Sequence, residues 1–212
     1  MNATFRFLAV LAFFVLAGCV GVVDQADLRT PRTEAEWRDY HDLRGPINRV
    51  AETIRVANLD LCPSPCWMEL NVNAASGIGA FANQGAIYIS IPLLKFLKND
   101  DERSVIVGHE WAHILLRHKK SHIPSKAQEL ERQADCLGAI LAMRAGYDTE
   151  KGAVLDRRMA TLPSNIALSL LSLGSAGKSF AESERRVVDA ARQARGRPIT
   201  RETIRSICGV AP

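Results

Sequence analysis

The chain has 212 residues, 47% of them hydrophobic, enough for one domain with a full core and an extension. Its 27 Lys and Arg against 23 Asp and Glu leave a formal charge of +4 dispersed along the sequence. That is too mild and too scattered for a nucleic-acid partner.

The first segment, MNATFRFLAVLAFFVLAGC, carries one cation at Arg6, an apolar run from Phe7 to Ala17 and small residues before Cys19, the pattern of a secretory signal. Leu16-Ala17-Gly18-Cys19 also resembles the lipobox of bacterial lipoproteins, which implies residues 1–18 as a cleaved signal and a lipid on Cys19. An uncleaved anchor is the alternative, because the apolar stretch continues through Val23, but an anchor has no need of a small-small-Cys ending. Either way the remainder is exported. Residues 19–33 then supply the lipidated cysteine and a polar, aperiodic tether, and 34–212 the domain. Val20 is not the aspartate associated with inner-membrane retention, which favours a periplasm-facing place on the outer membrane.

From Glu34 the apolar positions Trp37, Leu43, Ile47, Val50 and Ile54 recur at helical spacing behind the capping candidate Thr33, predicting one helix to about residue 58 with a possible break at Gly45-Pro46. A β region follows. WMELNVN alternates apolar and polar residues, and GIGAFA and AIYISI flank Asn83-Gln84-Gly85 as a hairpin. LLKFLKND reads as a short helix after Pro92, and Asp100-Asp101-Glu102 places acidic side chains at the start of the next helix, which carries HEWAH at 109–113. Further helices are predicted at 125–144, ending at Gly146, and at 149–161, 163–174, 181–195 and 200–207. The fold class is α+β, mainly helical, with a small sheet before the motif helix.

Export opens the cysteines to disulfide formation. Cys62, Cys66, Cys136 and Cys208 allow three connectivities. CPSPC suits a constrained loop, which favours Cys62 with Cys66 and Cys136 with Cys208, with buried free thiols the alternative for the second pair.

Residues i and i+4 differ by about 40° around a helix, so His109 and His113 project from one face and two neutral imidazoles can share one zinc ion. Glu110 lies about 100° round, where its carboxylate can hold a water beside the metal and take its proton. The motif alone is a modest signal. Its apolar flanks VIVG and ILL predict a buried helix, in which two histidines and a glutamate without a metal or partners are costly. Glu131 and Asp135, on one face of the following helix, make a third protein ligand available. The strand edge ahead of the motif can hold an extended peptide by backbone hydrogen bonds.

HEWAHILLRH, followed eighteen residues after its second histidine by E-R-Q-A-D, resembles the HtpX and BepA type of zinc metalloendopeptidases, gluzincins related to the CAAX prenyl endopeptidases. The likeness runs from about Asn73 to Arg186 and includes NAASGIGAFANQGAIYIS, NDDE and AGYD. It implies a zincin-like domain, one zinc per chain held by His109, His113 and Glu131, Glu110 as the acid–base group, and Asp135 orienting a ligand histidine. Glu129 is the rival ligand, but it points to another face. The family's histidine six residues before an arginine is replaced by Phe180, while Arg186 matches the arginine and is either an oxyanion-stabilising group or a solvated helix-face side chain. The implied substrates are misfolded or unassembled envelope proteins. Phe180 also motivates a non-catalytic adaptor that keeps zinc for stability, and a secreted domain in which HEWAH is coincidental predicts no zinc. His118, about 140° round from His113, reads as structural, His122 as a surface loop residue and His41 as exposed on a helix face.

Overall fold

The structure, a computed structural model, describes residues 28–62, 64, 66–119, 121–161, 180–210 and 212. The signal, Cys19 and the helix predicted at 163–174 lie outside the described residues.

Helix α1 (Glu34–Ala57) starts on a capping box in which Thr33 Oγ1 accepts from the Glu36 amide and the Glu36 carboxylate accepts from the Thr33 amide. It buries Ile47, Val50 and Ile54 completely. The break expected at Gly45-Pro46 does not occur, and the helix runs through Pro46. A side chain before proline disfavours helical backbone because its Cβ crowds the proline ring; glycine has no Cβ, so the pair can stay helical.

Strands β1 (Glu69–Asn73), β2 (Ala80–Asn83) and β3 (Ala86–Ser90) form one sheet in the order β1-β3-β2. The hairpin joins β2 and β3 antiparallel through Gln84 and Gly85, whose φ values of 49° and 86° suit the two-residue turn that matches strand twist. β1 pairs with β3 in parallel, with Glu69 opposite Ala86 and Asn73 opposite Ser90. Ile87 and Ile89 point into the main core, while Tyr88 stacks on Phe81 at 4.9 Å on the other face, where Leu28 covers them. Ser90 ends the sheet and caps the short helix α2 (Ile91–Phe96), its Oγ accepting from the Leu93 amide.

Helix α3 (Asp100–Leu115) begins at Asn99, whose side chain accepts from the Glu102 amide. It lies against α4 (Pro124–Arg144), which ends at Gly146 with φ 87°. The stretch expected as one helix over 149–161 is two short turns of helix, α5 (Thr149–Gly152) and α6 (Val154–Met159). Gly152 lets α5 lie against α3: a Cβ there would collide with the Asp101 carbonyl and the Val105 side chain. Helices α7 (Phe180–Ala194) and α8 (Arg201–Cys208) close the far side of α4. None of the helices among the described residues is long and apolar enough to cross a membrane.

Both favoured disulfides are formed, Cys62–Cys66 and Cys136–Cys208. The second joins α4 to α8 across 72 residues. On a chain-entropy account, closing a loop of that length stabilises the fold by roughly 4 kcal/mol.

Candidate metal centre

The centre sits where α3 and α4 cross in backbone contact. A Cβ on Gly108 would lie 2.5 Å from the Gly138 carbonyl oxygen, and one on Gly138 would lie 2.6 Å from the His109 backbone nitrogen. Only hydrogen at both positions allows so close an approach. His109, the residue after Gly108, is thereby brought against the face of α4 that carries Glu131 and Asp135.

Three donor atoms converge there. His109 Nε2 and His113 Nε2 are 3.1 Å apart, His109 Nε2 is 3.4 Å from Glu131 Oε2, and His113 Nε2 is 3.5 Å from Glu131 Oε1. Zinc bonds of about 2.0–2.1 Å in tetrahedral array put neighbouring donors roughly 3.3 Å apart, so the triangle is of the right size for one ion. The chemistry agrees. His109 Nδ1 lies 3.0 Å from Asp135 Oδ1, a carboxylate that can only accept, so the ring hydrogen belongs on Nδ1 and Nε2 offers a lone pair. A lone pair and a carboxylate turned toward one point, with Glu131 only 5% exposed and His113 7%, call for a cation between them. Glu110, the residue after His109 on α3, is buried at 4% exposure.

Asp135 does more than hold His109. Its Oδ1 also accepts from Ser183 Oγ at 3.0 Å, and its Oδ2 accepts from Arg186 Nε at 2.9 Å and lies 2.8 Å from the terminal guanidinium nitrogen. The solvated helix-face alternative for Arg186 therefore does not hold: the guanidinium is committed to Asp135, and its link to the ligand histidine runs through that carboxylate. Ser183, buried on α7 one turn before Arg186, is a member of the centre that the sequence reading did not single out. Phe180 opens α7 and packs, half-buried, against the core. Glu129, the rival ligand, is exposed and binds Arg132 and Gln133 instead.

His118 differs most from its expectation. The 140° argument assumes a continuing helix, but α3 ends at Leu115. Arg117 takes a left-handed conformation with φ 53°, its amide bonds the Ile114 carbonyl, and the His118 amide bonds the His113 carbonyl. That turn folds His118 back so that its Nδ1 lies 2.9 Å from His113 Nδ1. Burial holds the His118 imidazole below the usual histidine range, outweighing the Gln133 side-chain hydrogen bond that favours its charged form. His122 is exposed in the loop and His41 stacks on Trp37 at 5.8 Å on the exposed face of α1, both as expected.

Comparison with curated proteins finds no match. Residues 44–128, from the middle of α1 to the first turns of α4, match the model of peptidase family M48. The matched stretch contains His109, Glu110, His113 and His118 and stops three residues short of Glu131, so the similarity to zinc metallopeptidases covers the motif helix, and the third ligand stands on the geometry of α4.

Proposed function

We propose that this protein is a zinc-dependent endopeptidase held on the bacterial envelope by a lipid on Cys19, where it hydrolyses peptide bonds of misfolded or unassembled envelope proteins. The observation that carries the reading is the triangle of His109, His113 and Glu131 on two crossing helices, with Glu110 beside it. The match to peptidase family M48 supports the metallopeptidase part. Held by those three side chains, zinc supplies Lewis acidity that makes water a usable nucleophile near pH 7.

The remaining chemistry belongs to the chain. Glu110 accepts a proton from the attacking water and returns one to the leaving amine. Asp135 keeps the His109 ring hydrogen on Nδ1 and fixes the ring plane, and Arg186 and Ser183 fix Asp135 in turn. Arg186 thus takes a positioning part. Strand β2, at the sheet edge beside α3, offers backbone groups for an extended peptide.

The discriminating comparison is Glu110→Gln against the unchanged chain. Hydrolysis of an unfolded protein such as casein is expected to fall by about 10²–10⁴-fold, with zinc content equal in both. Equal activity would remove Glu110 from the mechanism. Zinc with no cleavage even in the unchanged chain would favour the adaptor reading that Phe180 motivates, and no zinc in either would leave HEWAH a coincidence.

The anchoring has its own consequence. Eight residues, 20–27, separate Cys19 from Leu28, which is docked on the sheet. Fully extended they reach at most about 30 Å, so a lipid on Cys19 keeps the centre close to the bilayer. Cys19→Ser is expected to remove the lipid mass from the protein, and the chain lacking residues 1–19 is expected in the soluble fraction. An unchanged chain that carries no lipid mass would refute lipid anchoring.

A further inference from the structure

We infer that His118, Gln133 and Glu129 form a positioning relay that fixes the tautomer of His113 and so turns its Nε2 toward the metal; this rests on the metal reading above. The relay is a continuous row of side chains. His113 Nδ1 meets His118 Nδ1 at 2.9 Å, His118 Nε2 meets Gln133 Oε1 at 3.1 Å, and Gln133 Nε2 donates to Glu129 Oε1 at 2.8 Å. The Arg132 guanidinium holds Glu129 in place at 2.6 and 2.7 Å.

The hydrogens in this row take one consistent direction. The Glu129 carboxylate can only accept, so Gln133 turns its NH₂ group to it and leaves its amide oxygen facing His118. An amide oxygen also only accepts, so His118 carries its hydrogen on Nε2. A ligand His113 keeps its Nε2 lone pair for the ion, so the single hydrogen between the two Nδ1 atoms, 2.9 Å apart, is its own, and His118 Nδ1 accepts it. What remains on His113 is a lone pair at Nε2, the atom that faces His109 and Glu131 across the centre. The opposite tautomer of His118 would set the lone pair of Nε2 against that of the Gln133 oxygen.

The chain accepts a local cost to build this arrangement. His118 reaches His113 only because Arg117 adopts the left-handed conformation at the end of α3, a state that glycine occupies freely and other residues enter at a penalty. The two ligand histidines are therefore oriented by different chemistry. His109 has a carboxylate behind it, whereas His113 has an imidazole, which orients it without adding a second negative charge.

The test uses the full chain, with zinc affinity measured by competition against a chelator and ring tautomers by long-range ¹H–¹⁵N correlation of labelled histidine. His118→Ala is expected to lower zinc affinity by about 10–100-fold. His118→Asn, whose side-chain oxygen stands where Nδ1 was, is expected to recover most of the loss. In the zinc-loaded protein His118 is expected to be protonated at Nε2 and His113 at Nδ1, and Gln133→Leu to mix the His118 tautomers. A side chain that merely fills space would lower the thermal stability of the zinc-free protein and leave both readouts unmoved. Unchanged affinity in His118→Ala, or a hydrogen on His118 Nδ1, overturns the relay. If the alanine variant does not fold, the tautomers of the unchanged chain decide the matter. An unchanged chain that takes up no zinc overturns the metal reading and the relay with it.

Discussion

Asp135→Ala is expected to destabilise the zinc-free protein by about 3–5 kcal/mol and to weaken zinc binding by about 10–100-fold. Asp135 is 2% exposed and answers to three groups at once: His109 Nδ1, Ser183 Oγ and the Arg186 guanidinium. Removing it leaves Arg186, only 21% exposed, with no more than the long 3.9 Å pairing to the exposed Glu182 carboxylate, and breaking a buried pair from one side is far costlier than removing both members. It also frees the His109 ring to rotate and to carry its hydrogen on either nitrogen. These two effects separate in the double variant Asp135→Ala with Arg186→Leu. Denaturant unfolding is expected to show much of the stability restored, because no buried charge is stranded, while chelator competition still shows weak zinc binding. Recovery of both together would mean that Asp135 serves as a counter-ion alone and does not orient the ligand.

The parts of this molecule that follow from local spacing were readable in the chain. Ile47, Val50 and Ile54 keep helical period and are all fully buried, and His109 and His113 meet because four residues bring a helix almost once round. Asn83-Gln84-Gly85 marked the hairpin by its glycine, and the structure puts the two left-handed turn positions at Gln84 and Gly85. What spacing does not encode is which distant elements meet. Alternation marked β1 as a strand, and its Leu70 and Val72 pack, partly buried, against the core, but it did not say that its neighbour would be β3 in parallel. Ser183 and Arg186 stand 48 and 51 residues from Asp135, beyond any periodic signal. His118 was hidden for a different reason. Helix ends are usually announced by glycine, and here Arg117 holds the left-handed position, so nothing in the sequence said that α3 stops in time to bring His118 back. The third ligand lay between these cases: its face on α4 was legible, but its distance from α3 depends on two glycines whose mutual contact has no sequence signature.

Gly138→Ala is accordingly expected to abolish zinc binding while costing the fold about 1–3 kcal/mol or somewhat more. The added methyl would lie 2.8 Å from the Gly108 carbonyl carbon and from the His109 Cα, and 2.6 Å from the His109 nitrogen. All three are backbone atoms in the middle of a helix, so no rotamer change relieves the overlap, and α3 and α4 must move apart by the better part of an ångström. Glu131 lies two turns before Gly138 on α4 and moves with it, whereas the two histidines stay with α3, so the displacement falls on the side of the triangle that joins the helices. A small loss of stability elsewhere would not do this. Leu137→Ala, at the fully buried neighbouring position, removes side-chain packing without touching the crossing, and is expected to cost about 2–5 kcal/mol while leaving zinc affinity near that of the unchanged chain. Thermal unfolding with and without zinc reads both effects, since a bound ion raises the midpoint by mass action. Zinc should raise the midpoint of Leu137→Ala and leave that of Gly138→Ala unmoved. Were both variants to respond to zinc alike, the backbone contact between α3 and α4 would not be what sets the reach of Glu131.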